Sequence, residues 1–323
     1  MLNSECWVES SDGRVGARML KDRARHIIYR LDDGRIAKIV KPFRDNRGRQ
    51  EALLVRRRIV RNRMIWRFLN NQDHPGLLRV FERVVDSSGG EGFVCEHLEN
   101  DGPMENRLHP VLTSVRSFLT ASIQLCEAVQ LVHDRGWVHA DLTFNNIRFR
   151  SSLQPVIFDL ELSVRAGQFP NPFPERQRDT RTALTPTCCA PEQMLRGALS
   201  PATDVYTLGL TLASWITGQQ GVSTHDLRQS MKEICDLSRR GIYPHWEMLR
   251  ERIRCCDVIQ VLETALKFNP GDRYKNGEAF AQALRHLLHT LPSAVLDASM
   301  HEDPTIEITP LPLCRTSECS LQL

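Results

Sequence analysis

No Cys-x-x-Cys spacing occurs in the 323 residues, although the chain holds ten cysteines. Two adjacent pairs, Cys188-Cys189 and Cys255-Cys256, and six scattered thiols fit neither a zinc site nor a disulfide scaffold. Reduced thiols and a cytoplasmic location are the expectation. No uninterrupted apolar run approaches the roughly 18 residues of a membrane span, so no transmembrane segment is expected. The stretch Met1–Trp7 lacks a basic region leading into an apolar core, which argues against a secretory signal. Aromatic residues make up only 7% of the chain and are not interleaved among its arginines, so nucleic-acid binding is not expected. There is no internal repeat. What remains is an ordinary globular composition, 41% hydrophobic and 25% charged, long enough for one large domain or two lobes.

Positive charge is present but unevenly spread. The formal net charge is +3, yet residues 1–90 carry 20 Lys and Arg against 11 Asp and Glu, a balance of +9, and the remainder stands at −6. A basic N-terminal part suits contact with an anionic surface, although most charge of this kind is simply solvated.

The most informative stretch is Trp137–Ile147. It sets Asp141 five residues before Asn146, directly after an apolar helical run. Further on, the apolar strand Val156-Ile157-Phe158 ends in Asp159. Phosphoryl transfer from ATP needs a group that orients the attacking hydroxyl and oxygen ligands that hold Mg²⁺ against the phosphates. Asp141 suits the first role, and Asn146 and Asp159 suit the second. These residues resemble the protein-kinase superfamily, whose catalytic loop reads H-R-D-L-x-x-x-N and whose metal strand ends in D-F-G. The resemblance implies an α+β, bilobal fold with a small β-rich N-lobe and a larger, mainly helical C-lobe. It places an N-terminal extension at 1–18, the N-lobe at 19–101, the C-lobe at 102–290 and a disordered tail at 291–323. It also implies ATP and Mg²⁺ as cofactors and a protein substrate offering a Ser or Thr hydroxyl.

The N-lobe departs from the family pattern. Strands are expected at Ile27–Leu31 and Arg35–Val40, joined by a turn at Asp32-Asp33-Gly34. The preceding stretch Leu20–Ile28 occupies the place of the glycine-rich phosphate loop, with Lys21, Arg23 and His26 at the three glycine positions and Ile28 as a nucleotide-contacting candidate. Glycine lets backbone N–H groups approach phosphate, so these side chains must act in their place or not at all. Two lysines compete for the α- and β-phosphates, Lys38 and Lys41. The apolar-apolar-Lys order of Ile39-Val40-Lys41 favours the second. A long basic helix is expected over 51–69, with Glu51 as its one acid. That helix and the Lys-Pro-Phe segment before it also look like lipopolysaccharide-core kinases. Two further strands, Leu77–Val84 and Gly92–Leu98, flank a Ser-Ser-Gly-Gly turn. By resemblance, Cys95 is the gatekeeper, and the Glu96 carbonyl and Leu98 N–H meet the adenine edge.

In the C-lobe a helix is expected over 112–134. Ala140 replaces the catalytic-loop Arg and Thr143 the loop Lys, which removes a phosphate-gated switch and one neutralising cation. Asp159-Leu160-Glu161 replaces D-F-G. Leu184–Glu192 resembles the segment ending in A-P-E, which implies that Thr185 contacts Asp141 and that Glu192 pairs with Arg273. Asp204 is expected to hold the catalytic-loop backbone. Three readings follow: a divergent, bacterial-type Ser/Thr protein kinase; a pseudokinase scaffold, suggested by the missing glycines; and a lipopolysaccharide-core or other small-molecule kinase, suggested by the basic N-lobe.

Overall fold

The computed structural model describes residues 6–22, 26–41, 60, 63–64, 67–69, 73–98, 113–143, 146–150, 154–169, 188–218, 227–243 and 245–300. The chain divides into two compact units, one formed by Met1–Asp101 with Asn146–Ser163 and the other by Gly102–Asn145 with Val164–Leu323.

The first unit is built on six antiparallel strands: β1 (Trp7–Ser10), β2 (Gly13–Asp22), β3 (His26–Leu31), β4 (Ile36–Val40), β5 (Val80–Asp86) and β6 (Glu91–Cys95). They close into a barrel in the order β1-β2-β3-β4-β6-β5. Because side chains alternate along a strand, Tyr29, Leu31, Ala37 and Ile39 turn inward with Val8, Val84 and Val94 to form the core. The expected β3–β4 hairpin is present. Gly34 adopts φ 87° and donates its N–H to the Leu31 carbonyl at 2.9 Å, a conformation that suits glycine. The turn after β5 is held by the Asp86 carboxylate, which is 2% exposed and accepts from the Ser88 N–H, the Ser88 hydroxyl, the Gly90 N–H and the Tyr29 hydroxyl. Burial, together with Asp86, pushes the Tyr29 phenol up to about 12.

Most of the segment set apart as 1–18 belongs to this sheet. β1 pairs with β2 along its whole length and with β5 at Val8–Asp86 and Glu9–Val85, which closes the barrel. The same unit contains a hairpin of β8 (Ile147–Phe149) and β9 (Pro155–Ile157), stitched to the segment before β5 by a parallel bridge at Leu77–Ile157. Between them in sequence, β7 (Trp137–Val138) lies in the second unit and pairs with β10 (Val164–Arg165). Of the expected 51–69 helix, the described residues Val60, Arg63, Met64 and 67–69 are helical, and Leu69 is buried. Glu51 lies outside the described residues.

The second unit is helical. Its central helix, α1 (Val115–Asp134), starts at a capping box in which Ser114 and Ser117 satisfy each other's backbone N–H groups. Among the described residues the others are α2 (Pro191–Met194), α3 (Pro201–Thr217), α4 (Leu227–Arg239), α5 (Trp246–Ile253), α6 (Cys256–Ala265), α7 (Gly277–Thr290) and α8 (Ser293–Leu296). α7 packs on α1 closely enough that a Cβ on Gly277 would stand 2.6 Å from the Cys126 carbonyl. The stretch from 291, expected as disordered tail, is packed as far as Met300. Arg116 grips Asp297, the Met300 N–H bonds the Thr113 carbonyl, and Leu296 and Met300 are each 3% exposed. Two well-spaced apolar anchors and one ion pair hold this short run, which is itself largely apolar. Residues 301–323 lie outside the described residues. Among the described residues no helix is long and apolar enough to cross a membrane.

Candidate active site

In the first unit β4 decides which lysine meets Asp159. Ala37 and Ile39 point into the core, so Lys38 lies on the opposite face, between Ile28 of β3 and Phe93 of β6. Its Nζ stands 2.8 Å from Asp159 Oδ1, with the lysine side chain 18% exposed. Lys41, favoured by motif order, follows β4 and instead forms an ion pair with Asp22 at the end of β2. Lys38 is therefore the lysine that the fold brings to Asp159. The half-buried Ile28 is its cross-strand neighbour.

Asp159 reaches this position through the β8–β9 hairpin. Ile147 pairs with Ile157, and the Phe158 N–H bonds the Asn146 carbonyl at 3.1 Å, which sets Asn146 and Asp159 at neighbouring strand ends. At Asp159 the chain turns with φ 65° into a 3-10 turn, Leu160–Leu162. Aspartate is among the few residues that tolerate this left-handed region. Asn146 is 8% exposed. A carboxylate and a carboxamide are hard oxygen donors. Among the described residues no cluster of three or more His, Cys, Asp or Glu could hold a metal. A donor set this small fits Mg²⁺, which takes its other ligands from water and phosphate, and does not fit a structural zinc site.

At the end of β6, Cys95 is buried and its thiol is pushed up to about 12 by desolvation, with Lys38 pulling weakly the other way. Glu96 and Leu98 follow, both partly buried. The Glu96 N–H donates to the Arg79 carbonyl, while its carboxylate accepts from the Arg79 N–H and from Arg150. On the basic helix, Arg63 makes a bidentate pair with Glu91 at 2.7–3.0 Å, and Arg83 joins it.

The second unit positions the loop that carries Asp141. Asp204, fully buried on α3, accepts from the His139 N–H at 2.7 Å, the Ala140 N–H at 2.8 Å and His133 Nε2 at 2.9 Å. His133 Nδ1 accepts from the Gly277 N–H, so Nε2 carries the proton it donates. Ala140 sits at φ 64°, a left-handed geometry costing roughly 1–2 kcal/mol for a residue with a Cβ. Both of its peptide groups are held, the N–H by Asp204 and the carbonyl by Gln193 Nε2 at 2.7 Å. Gln193 also accepts from the Ala190 N–H, so it ties the Ala190–Met194 segment to the loop. The Thr211 hydroxyl donates to the Leu142 carbonyl at 2.7 Å. The Asp141 N–H points to His139 Nδ1, and the Thr143 N–H to the Asp141 carbonyl; Thr143 is 2% exposed. Glu192 and Arg273 form the expected pair, at 2.8 and 2.9 Å. Thr185 lies outside the described residues. The sequence does not single out His133, Gln193 or Thr211, because Gln193 and Thr211 act on backbone carbonyls, His133 acts on the buried Asp204 carboxylate, and none belongs to a recognised motif.

The class of protein follows from how the work is divided. One unit is a closed antiparallel sheet that delivers a lysine to an aspartate at a strand end, and the other is a helical body that fixes an aspartate-bearing loop from beneath. That is the plan of a protein kinase. The chain belongs to that family: the model of the protein kinase domain matches residues 37–288. Similar relatives include the serine/threonine-protein kinase PknK of Mycobacterium tuberculosis, 26% identical over 217 residues, covering 66% of this chain and 18% of the relative. Another is PknD of Chlamydia trachomatis, 26% identical over 254 residues, covering 70% and 27% respectively. PknA of Mycobacterium tuberculosis is 28% identical over 220 residues, covering 66% and 47%. The chain thus matches from under a fifth to about half of the length of these curated relatives.

Proposed function

We propose that the protein is a cytoplasmic, ATP- and Mg²⁺-dependent kinase that transfers the γ-phosphoryl group to a Ser or Thr hydroxyl of a protein. The observation that carries this reading is the Lys38–Asp159 pair, a cation on β4 and a carboxylate just past β9 held 2.8 Å apart. In this reading Lys38 serves the α- and β-phosphates. Asn146 and Asp159 hold Mg²⁺, which supplies charge neutralisation at the phosphate oxygens. Asp141 accepts a hydrogen bond from the acceptor hydroxyl and aligns it for attack. Thr143 and Thr185 are assigned a part in placing that hydroxyl. The Glu96 carbonyl and Leu98 N–H take the adenine edge, with Ile28 on β3 as a further nucleotide contact. Positioning and charge stabilisation supply most of the rate.

A second reading, a nucleotide-binding scaffold without turnover, draws on a separate observation. Lys21 lies within β2 and His26 is buried within β3, where glycines would leave N–H groups open to phosphate. One experiment separates the readings: transfer of γ-³²P from ATP to a mixed protein acceptor and to a lipid extract, with wild type, Lys38→Met, Lys41→Met, Asp141→Asn and Asp159→Ala. Label on Ser or Thr, abolished by the first, third and fourth variants and only weakened by Lys41→Met, is the expected outcome. Label in the lipid fraction points to a small-molecule kinase. Nucleotide binding without any label points to the scaffold.

A further inference from the structure

Arg150, the residue after β8, makes more polar contacts than any strand-end side chain of a routine hairpin needs. Its Nε donates to the Pro75 carbonyl at 3.2 Å, one terminal nitrogen to the Leu77 carbonyl at 3.3 Å and to Glu96 Oε1 at 2.7 Å, and the other to Glu96 Oε2. Its backbone N–H meanwhile closes the β8–β9 hairpin on the Gln154 carbonyl at 2.9 Å. Glu96 answers from the end of β6. Its Oε1 also accepts the Arg79 N–H at 2.7 Å, and its own N–H reaches the Arg79 carbonyl at 3.0 Å. The segment before β5 is fixed to the same hairpin, the Ile157 N–H bonding the Gly76 carbonyl and the Leu78 N–H the Ile157 carbonyl. The two side chains are 25% and 15% exposed, so the pair is partly withdrawn from water. One guanidinium therefore joins three pieces of a single unit: the end of β6, the Pro75–Arg79 segment, and the hairpin whose strand ends carry Asn146 and Asp159.

We propose that the Glu96–Arg150 pair is a positioning clamp that sets the spacing between the adenine-facing backbone of Glu96–Leu98 and the metal ligands Asn146 and Asp159. The inference rests on the nucleotide-binding reading above and adds a positioning role that none of the catalytic motifs contains. A nucleotide spans both ends of that spacing, so loosening it weakens binding of the intact nucleotide. A protein acceptor touches neither end and is unaffected. The geometry needs arginine. A planar fork reaches a carboxylate in bidentate fashion and two carbonyls at once, whereas lysine offers a single point charge. Reversing the charges cannot work either, because Glu at 150 would face two carbonyls and Arg at 96 would face the Arg79 N–H.

The test is calorimetric titration of Mg-ATP and of adenosine into wild type, Arg150→Ala, Arg150→Lys and Glu96→Gln, with acceptor KM measured alongside. Arg285→Ala, which breaks an ion cluster on α7, serves as the control. The clamp predicts about a tenfold loss of Mg-ATP affinity in Arg150→Ala, a smaller loss in Arg150→Lys and Glu96→Gln, and little change for adenosine or for acceptor KM. The Glu96→Arg, Arg150→Glu double variant should bind no better than Arg150→Ala. Folded Arg150→Ala and Glu96→Gln proteins that bind Mg-ATP as wild type does would overturn the clamp while leaving the kinase reading intact. So would a proportional loss of Mg-ATP, adenosine and acceptor affinity with melting temperature, which marks a general scaffold role. If Arg150→Ala does not fold, Glu96→Gln, which keeps the shape of the side chain, decides alone. Wild type that binds no nucleotide overturns both readings together.

Discussion

Glu192→Gln is expected to destabilise the helical unit by about 3 kcal/mol. Arg273 has a side chain with no exposed surface, and Glu192 is 10% exposed, so the pair is shielded from water. Two of the guanidinium's hydrogen bonds go to Glu192 at 2.8 and 2.9 Å. Others go to the carbonyls of Ala202, Lys267 and Phe268 at 2.6–2.9 Å, and the group stacks over the Tyr206 ring. Removing one partner from a buried pair typically costs about 3–5 kcal/mol, because the other charge is stranded. The three carbonyls keep part of Arg273 solvated, which puts the cost at the low end. Gln also turns an NH₂ group toward a donor. With a urea slope near 3 kcal/mol per molar, the unfolding midpoint falls by about 1 M. Tryptophan emission reports this transition, since Trp215 is buried on α3. Replacing both residues by apolar ones of similar size should restore much of the loss. A midpoint shift under about 0.3 M for Glu192→Gln would refute the account, since the stranded charge would then cost under 1 kcal/mol.

Gly92→Ala should unsettle the strand that carries Lys38. A Cβ there meets the Lys38 carbonyl and comes within 2.7 Å of the Ile39 side chain, so a loss of about 1–3 kcal/mol is expected in thermal melting. Asp204→Asn leaves one of three donors facing an NH₂ group and releases the left-handed Ala140; turnover should fall about 10–100-fold with the ATP KM little changed, and equal turnover would count against the loop's being set from α3. Mass-spectrometric footprinting with iodoacetamide at pH 8 should label the exposed Cys256 in the folded protein and spare the buried Cys95, Cys126 and Cys189 until denaturant is added. The Cys95 thiol stays protonated in the fold until about pH 12, whereas an unfolded thiol ionises near about 8.5. Its contribution to stability is therefore intact below about pH 8.5 and is lost as pH rises toward about 12, so the urea midpoint should drop between pH 7 and 10.

The parts of the site that could be read from the sequence are those with local signatures. Asp141, Asn146 and Asp159, the residues proposed for the hydroxyl and the metal, are legible because loop and strand end keep their spacing, and Asp204 and the Glu192–Arg273 pair because each sits in a recognisable run. Lys38 was harder. Motif order pointed to Lys41, but the inward turn of Ala37 and Ile39 fixes which lysine faces Asp159, and that depends on strand register. β1 carries only Trp7-Val8 as a strand signal; its place is set by long-range pairing with β5. Gln193, Thr211 and His133 act on backbone carbonyls, amides or a buried carboxylate, and no pattern of residue types announces such partners before the fold is known.

The sheet begins thirty residues before the region that the family model recognises. A fragment trimmed to residues 37–288 would start inside β4 and discard β1, β2 and β3. The barrel would reduce to a ribbon of β4, β6 and β5 with two raw edges, one of them the strand bearing Lys38. Such edges invite pairing with neighbouring chains. Truncation at the recognised boundary should therefore yield a protein that clumps, and that behaviour would say nothing about whether the whole chain can turn over ATP.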